Sequence, residues 1–132
     1  MKIGYADTSC LVAVALGEPG SEETASALQE CDLIVASNLL EAELRSALAR
    51  EGVGIDPGPL LDPLTWVHPD RSLSDEYETI LNAGYLRGAD LWHLACALYL
   101  RRSVPALAFL SLDRQQNSLA AKVGFAPAPP VA

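Results

Sequence analysis

The sequence has few of the groups on which most common active sites depend. It holds two histidines (His68 and His93), three cysteines (Cys10, Cys31 and Cys96), and nine lysines and arginines against 17 acidic residues. Two isolated histidines argue against a zinc hydrolase and against a Ser-His-Asp triad. The cysteines are odd in number, widely spaced and set in apolar surroundings such as Leu94-Ala95-Cys96-Ala97-Leu98. They fit buried thiols in a reducing cytosol rather than a disulfide frame or a zinc site. A net charge of −8 over 132 residues speaks against a nucleic-acid binder that works through a broad basic surface. No uncharged stretch exceeds ten residues, about half of what a membrane helix needs, so no membrane association is expected. Asp7 arrives before any apolar run long enough for export, so no secretory leader is expected and the expected location is cytoplasmic. A Walker loop and a dinucleotide fingerprint are also missing, because Gly52-Val53-Gly54 follows a helical pattern and not a strand.

What is present is apolar residue in quantity: 50% of the chain, enough for one core in a single domain spanning residues 1–132. Lys2–Ala6 reads as a short strand ending at Asp7, followed by a helix from Thr8 to Leu16 that Gly17-Glu18-Pro19-Gly20 stops. A second, exposed helix runs from Ser21 to near Cys31. The apolar run Leu33-Ile34-Val35-Ala36 suits a buried parallel strand, and Ser37 and Asn38 then introduce a helix reaching Gly52. Gly54–Pro63 reads as a loop or a broken short helix. Thr65–His68 is a third strand candidate, and Ser72–Glu76 looks like a capped helix start. A strongly periodic helix follows Asp90 to Arg101-Arg102, Pro105–Leu110 is a fourth buried strand, and Asp113 opens a last helix through Val123. The Pro-rich tail from about residue 127 is expected to be loose or to add one edge strand. Strands alternating with helices predict an α/β/α sandwich around a mostly parallel sheet of four to five strands.

In such a sheet, ligands bind beyond the carboxyl ends of the strands. Asp7 follows the first strand and Asp113 the fourth, while Glu41 or Glu43 lies in the helix entered from the second, and Asp90 begins a helix. Residues 1–86 hold 15 acidic and 4 basic side chains, whereas residues 87–132 hold five basic ones and only Asp90 and Asp113. Capping could account for Asp7, Asp90 and Asp113 one at a time, but it does not predict that they share one sheet edge. Three or four carboxylates from separate segments suit Mg²⁺ or Mn²⁺, hard cations that activate water and stabilise a leaving oxygen in phosphodiester hydrolysis. Arg87 and Arg114 flank this acidic set and are the candidates for holding substrate phosphate. Arg101-Arg102 is expected to stabilise a helix C-terminus, Trp66 and Trp92 to make core or dimer contacts, and His68 to end a strand at the surface.

Four segments carry a resemblance to a known family. Tyr5-Ala6-Asp7-Thr8-Ser9, Ser37-Asn38-Leu39-Leu40-Glu41-Ala42-Glu43-Leu44, Gly88-Ala89-Asp90-Leu91-Trp92-His93-Leu94-Ala95 and Leu110-Ser111-Leu112-Asp113-Arg114 resemble, in order and spacing, the acidic motifs of PIN-domain ribonucleases. The small VapC-type toxins of toxin–antitoxin systems are the most similar. The resemblance implies that Asp7, Glu43, Asp90 and Asp113 are the catalytic, Mg²⁺- or Mn²⁺-binding carboxylates, with Glu43 matched in preference to Glu41. Two residues apart on a helix, those glutamates point about 200° apart. It implies supporting roles for Thr8, Ser9 and Ser111. His93 matches a position where relatives often carry histidine, and is expected to support or pack. An RNA substrate, a cognate antitoxin protein and a homodimer are also implied. Relatives place a further acid or Asn shortly after the last motif, and here only Asn117 is available. This leaves open a second reading, a catalytically incomplete PIN-like module that binds RNA or protein. A phosphatase or DNA nuclease on a similar sheet ranks below both, since Asp7 is followed by Thr8-Ser9 and not by an Asp-x-Asp pattern.

Overall fold

The computed structural model describes residues 1–126; the tail from residue 127 lies outside them. Four strands, β1 (Ile3–Ala6), β2 (Leu33–Ser37), β3 (Leu64–Val67) and β4 (Ala108–Leu110), form one sheet in the order β3-β2-β1-β4, and every pairing is parallel. Helices α1 (Thr8–Leu16) and α2 (Ser21–Gln29) connect β1 to β2, and α3 (Leu39–Glu51) and α4 (Gly58–Leu61) connect β2 to β3. Helices α5 (Ser74–Ala83) and α6 (Gly88–Arg101) lead to β4, and α7 (Arg114–Lys122) follows it. Gly17 ends α1 in the left-handed region at φ 63°, which a residue without Cβ adopts at no steric cost.

Side-chain alternation along the strands divides the interior into two cores on opposite faces of the sheet. Val35 and Val67 pack with Tyr5, Ile80, Leu94, Phe109 and Leu119. Their neighbours Ala36 and Trp66 pack on the other side with Leu11, Leu40, Leu44 and Leu48. Leu40, Leu44 and Leu48 recur every four residues, so one stripe of α3 is buried, each leucine contributing about 1.5–3 kcal/mol. Helices on both faces give the expected α/β/α layering, with four strands among the described residues.

Several local expectations are corrected. The fourth strand starts at Ala108, not Pro105, because the chain turns before it, Leu107 N donating to Val104 O at 3.0 Å. Ser37 closes β2 instead of opening α3, and its Oγ accepts from Leu39 N at 3.1 Å. Asp90 lies within the first turn of α6 and not ahead of it. Cys10 and Cys96 are buried, but Cys31 is only partly so. Arg101 serves another helix than its own, donating from Nη2 to Val123 O at 2.8 Å at the end of α7 and covering the Phe125 ring.

Glu76, expected in a helix cap, instead turns to Arg71, which donates to Glu76 Oε1 and Oε2 at 2.9 and 2.7 Å. The Glu76 side chain is 3% exposed and that of Arg71 37%. Arg71→Ala therefore strands a buried carboxylate, whereas Glu76→Gln frees a guanidinium that can turn to water. Thermal melts are expected to show Arg71→Ala as the more destabilised of the two. Arg71 holds the Glu76 carboxyl below its ordinary value of 4.5. The stabilisation is thus complete above about pH 4.5 and fades as pH falls through the lower folded-state value. Wild type and Glu76→Gln should accordingly converge in stability on acidification.

Candidate functional site

The strand order places a topological switch between β1 and β4: connections from β1 run to one side through β2 and β3, then cross to β4. A crevice opens beyond the carboxyl ends of strands at such a point. Asp7 is the first residue after β1, and its N–H donates to Leu110 O at 2.9 Å, tying the two strand ends together. Although Asp7 occupies the N-cap position of α1, its side chain makes no capping bond. Its Oδ2 accepts from Ser9 Oγ at 2.7 Å and from Ser111 Oγ at 2.9 Å. Ser9 Oγ also accepts from Leu112 N, and Ser111 Oγ from Asp113 N, each at 3.0 Å. Two hydroxyls thus fix Asp7 and the turn carrying Asp113 in one network.

Asp113 does cap a helix, accepting from Gln116 N at 2.9 Å through Oδ1. Asp90 presents its carboxylate from the first turn of α6. Burial raises the Asp90 carboxyl above its usual range, and the charges of Asp7 and Asp113 raise it further, against weaker opposition from Arg87 and His93. Asp90 therefore feels the charges of Asp7 and Asp113, and a nearby cation would relieve that repulsion. Among the described residues no three His, Cys, Asp or Glu side chains converge tightly enough to hold a metal ion. Mg²⁺ keeps several waters and takes few direct carboxylate ligands, so Asp7, Asp90 and Asp113 are the residues that could hold one.

Glu43 lies on the inner side of α3, while Glu41 pairs outward with Arg45 at 2.7 Å. Glu43 Oε1 accepts from Thr8 Oγ1 at 2.8 Å and is 2.6 Å from His93 Nε2. Burial raises the Glu43 carboxyl, but the bonds from His93 and Thr8 outweigh it and hold the group below its ordinary value. Buried His93 meets Tyr5 OH through Nδ1 at 3.2 Å. Burial raises the Tyr5 phenol far above its usual range, so Tyr5 stays protonated and can donate to Nδ1. That bond favours the tautomer with its proton on Nε2, facing Glu43.

Asn117 Nδ2 donates to Ser111 O at 2.8 Å. The neighbouring Gln116 was not singled out in the sequence, yet it is fully buried and central. Its Nε2 donates to Asp90 O at 3.0 Å and its Oε1 lies 3.0 Å from Ser111 Oγ. The single Ser111 proton serves Gln116 or Asp7, one at a time. Gln three residues after an N-cap Asp has capping-box spacing, a signal that could have found it. Exposed Arg87 comes within 4.0 Å of Asp90 Oδ2, and Arg114, also exposed, is the first residue of α7. Trp92 Nε1 donates to Ser37 Oγ at 2.7 Å, giving the indole a partner in the fold. His68 is exposed just past β3.

A parallel sheet with helices on both faces and acidic side chains placed beyond its carboxyl edge defines an α/β protein. The PIN domain family model matches residues 5–122, and the chain belongs to the PIN-domain family. Comparisons with curated proteins and with solved structures gave no match. PIN domains are generally metal-dependent nuclease domains and typically use divalent metals. No helix among the described residues is long and apolar enough to cross a membrane.

Proposed function

We propose that this protein is a Mg²⁺- or Mn²⁺-dependent endoribonuclease, the toxin of a toxin–antitoxin pair, acting in the cytoplasm. The observation that carries the nuclease reading is the placement of Asp7 and Asp113 just after the neighbouring parallel strands β1 and β4, with Asp90 close enough to feel both charges. The toxin reading, with its cognate antitoxin and homodimer, is supported by the likeness of the four motifs to VapC-type sequences. In this reading Asp7, Asp90 and Asp113 hold the ion, with Ser9 and Ser111 orienting Asp7. When bound, the divalent cation supplies charge neutralisation and water activation. Thr8 and His93 both engage Glu43 Oε1, which leaves Oε2 to complete the ion's shell or to position water and take its proton. Arg87 and Arg114 hold the substrate phosphate from the rim.

Cleavage of single-stranded RNA is expected to stop with EDTA and to return with excess Mn²⁺. Persistence of cleavage in EDTA would remove the metal from the mechanism. Comparison with DNA and a phosphomonoester tests the preference for RNA. Asn117, the one residue available for a further ligand after Asp113, spends its amide on Ser111 O, which favours one alternative, a binding module with an incomplete site. Calorimetry separates the two: the nuclease shows Mn²⁺ heat that depends on Asp7 and Asp90, and the module shows none.

A further inference from the structure

The short connection between α5 and α6 carries an exposed aromatic ring for which neither the fold nor the acidic site gives a use. Tyr85 is 68% exposed. Next to it Leu86 is buried in the core, and Arg87 is again exposed, its side chain at 82%. The backbone is extended on either side, with Gly84 at φ 168°, ψ −172° and Arg87 at φ −67°, ψ 161°. In an extended segment, residues two apart share a side and lie about 7 Å from each other. The burial pattern agrees, so the Tyr85 ring and the Arg87 guanidinium face solvent together.

This connection is fastened to α7. A Cβ on Gly84 would lie 2.6 Å from Leu119 Cδ2, so the backbone there packs closely on a side chain of α7 that a larger residue would push aside. Gln115 Nε2 donates to Tyr85 O at 2.5 Å. Arg114, next to Gln115 in the chain, is exposed at the start of the same helix. The strip also begins the stretch of sequence in which basic residues outnumber acidic ones, and Arg87 reaches to 4.0 Å of Asp90. At that length and exposure the pair is weak, and the guanidinium can leave it for a phosphate.

We propose that Tyr85, Arg87 and Arg114 form a seat for one unpaired nucleotide of the RNA at the rim of the acidic site. The base stacks on the Tyr85 ring and the adjoining phosphate meets the guanidinium groups. Stacking needs a base with a free face, so the seat accepts looped or single-stranded RNA and excludes a nucleotide inside a helix. Every base has such a face, so the seat selects unpaired structure more than sequence.

The inference rests on the nuclease reading, and its test keeps the two apart. A randomised single-stranded RNA pool is cut in Mn²⁺ by wild type, Tyr85→Ala, Tyr85→Leu and Tyr85→Trp, with oligonucleotides made around the preferred cut. Loss of stacking is expected to raise KM about five- to a hundredfold for Tyr85→Ala and Tyr85→Leu, with a smaller effect on kcat. Tyr85→Trp restores binding. A single abasic position at the contacted nucleotide weakens wild type to the same degree and costs Tyr85→Ala nothing more. Ile55→Ala, an apolar side chain exposed elsewhere, serves as the control. If wild type cuts RNA and Tyr85→Ala cuts it with the same KM, the seat is overturned while the nuclease reading stands. A changed oligomeric state in Tyr85→Ala with unchanged KM makes the ring a protein contact and also overturns the seat. If wild type neither cuts nor binds the pool, the nuclease reading falls and takes the seat with it.

Discussion

Asp7→Asn is expected to lower RNA cleavage by about 10³-fold while leaving the protein folded and slightly more stable. Asparagine has the same shape, and its Oδ1 can still accept from Ser9 and Ser111, which hold Asp7 Oδ2 at 2.7 and 2.9 Å. On the proposed reading what disappears is the charge that would anchor a cation, and metal assistance worth about 4 kcal/mol corresponds to about 10³ in rate. The same charge repels Asp90, so neutralising a buried carboxylate there relieves strain between like charges. A gain of about 1 kcal/mol raises Tm by about 4 °C in a domain of this size. Growth inhibition on expression should disappear with cleavage. A folded Asp7→Asn protein that cuts RNA at the wild-type rate would show the metal assignment to be wrong.

His93→Ala is the second large effect, and it acts on two properties at once. The imidazole connects Tyr5 OH to Glu43 Oε1 across the interior, with contacts of 3.2 and 2.6 Å. Removing it leaves a cavity, an unpartnered phenol and a carboxylate held only by Thr8, together costing about 3 kcal/mol of stability. Misplacement of Glu43 is expected to lower kcat about 10- to 100-fold, the usual range for a group that orients an active-site residue. His93→Gln can return a donor near the Nε2 position and should recover part of kcat without recovering the Tyr5 bond. Tyr5→Phe should perturb kcat less than His93→Ala, because it frees the ring without removing the donor to Glu43. If His93→Gln is as slow as His93→Ala despite equal folding, the Nε2 contact is not what positions Glu43.

The layered fold was legible because apolar runs such as Leu33–Ala36 and the four-residue spacing of Leu40, Leu44 and Leu48 report burial directly. Element ends were less so. Residues 105–107 are apolar enough for a strand, but they lie in a turn that Leu107 N closes by donating to Val104 O. The strand-and-helix pattern placed Asp7, Asp90, Asp113 and either Glu41 or Glu43 at one edge; the resemblance of the four motifs chose Glu43, and helix geometry showed only that the two glutamates face apart. The sequence pattern could not show that Ser9 and Ser111, 102 residues apart, converge on one oxygen of Asp7. Nor could it show the Tyr5–His93 contact across 88 residues, since no local spacing encodes such long-range pairs. Gln116 was overlooked for a different reason: an uncharged side chain beside a helix start looks like surface, and only tertiary packing buries it. Asn117 looked like the better donor, but its amide serves the Ser111 carbonyl.

The strand order has a temporal side. The sheet is open on one flank of β1 until β4 docks, and Asp7 meets Ser111 across 104 residues of sequence. During synthesis at about 5–20 residues per second, the Asp7 end of the crevice waits roughly 5–20 s for its other wall. A nascent chain or fragment ending before Ala108 would have three strands and Asp7, Glu43 and Asp90, but neither Asp113 nor the Ser111 hydroxyl. The catalytic edge is therefore among the last parts of the molecule to exist, and a partly made chain is expected to be inert towards RNA.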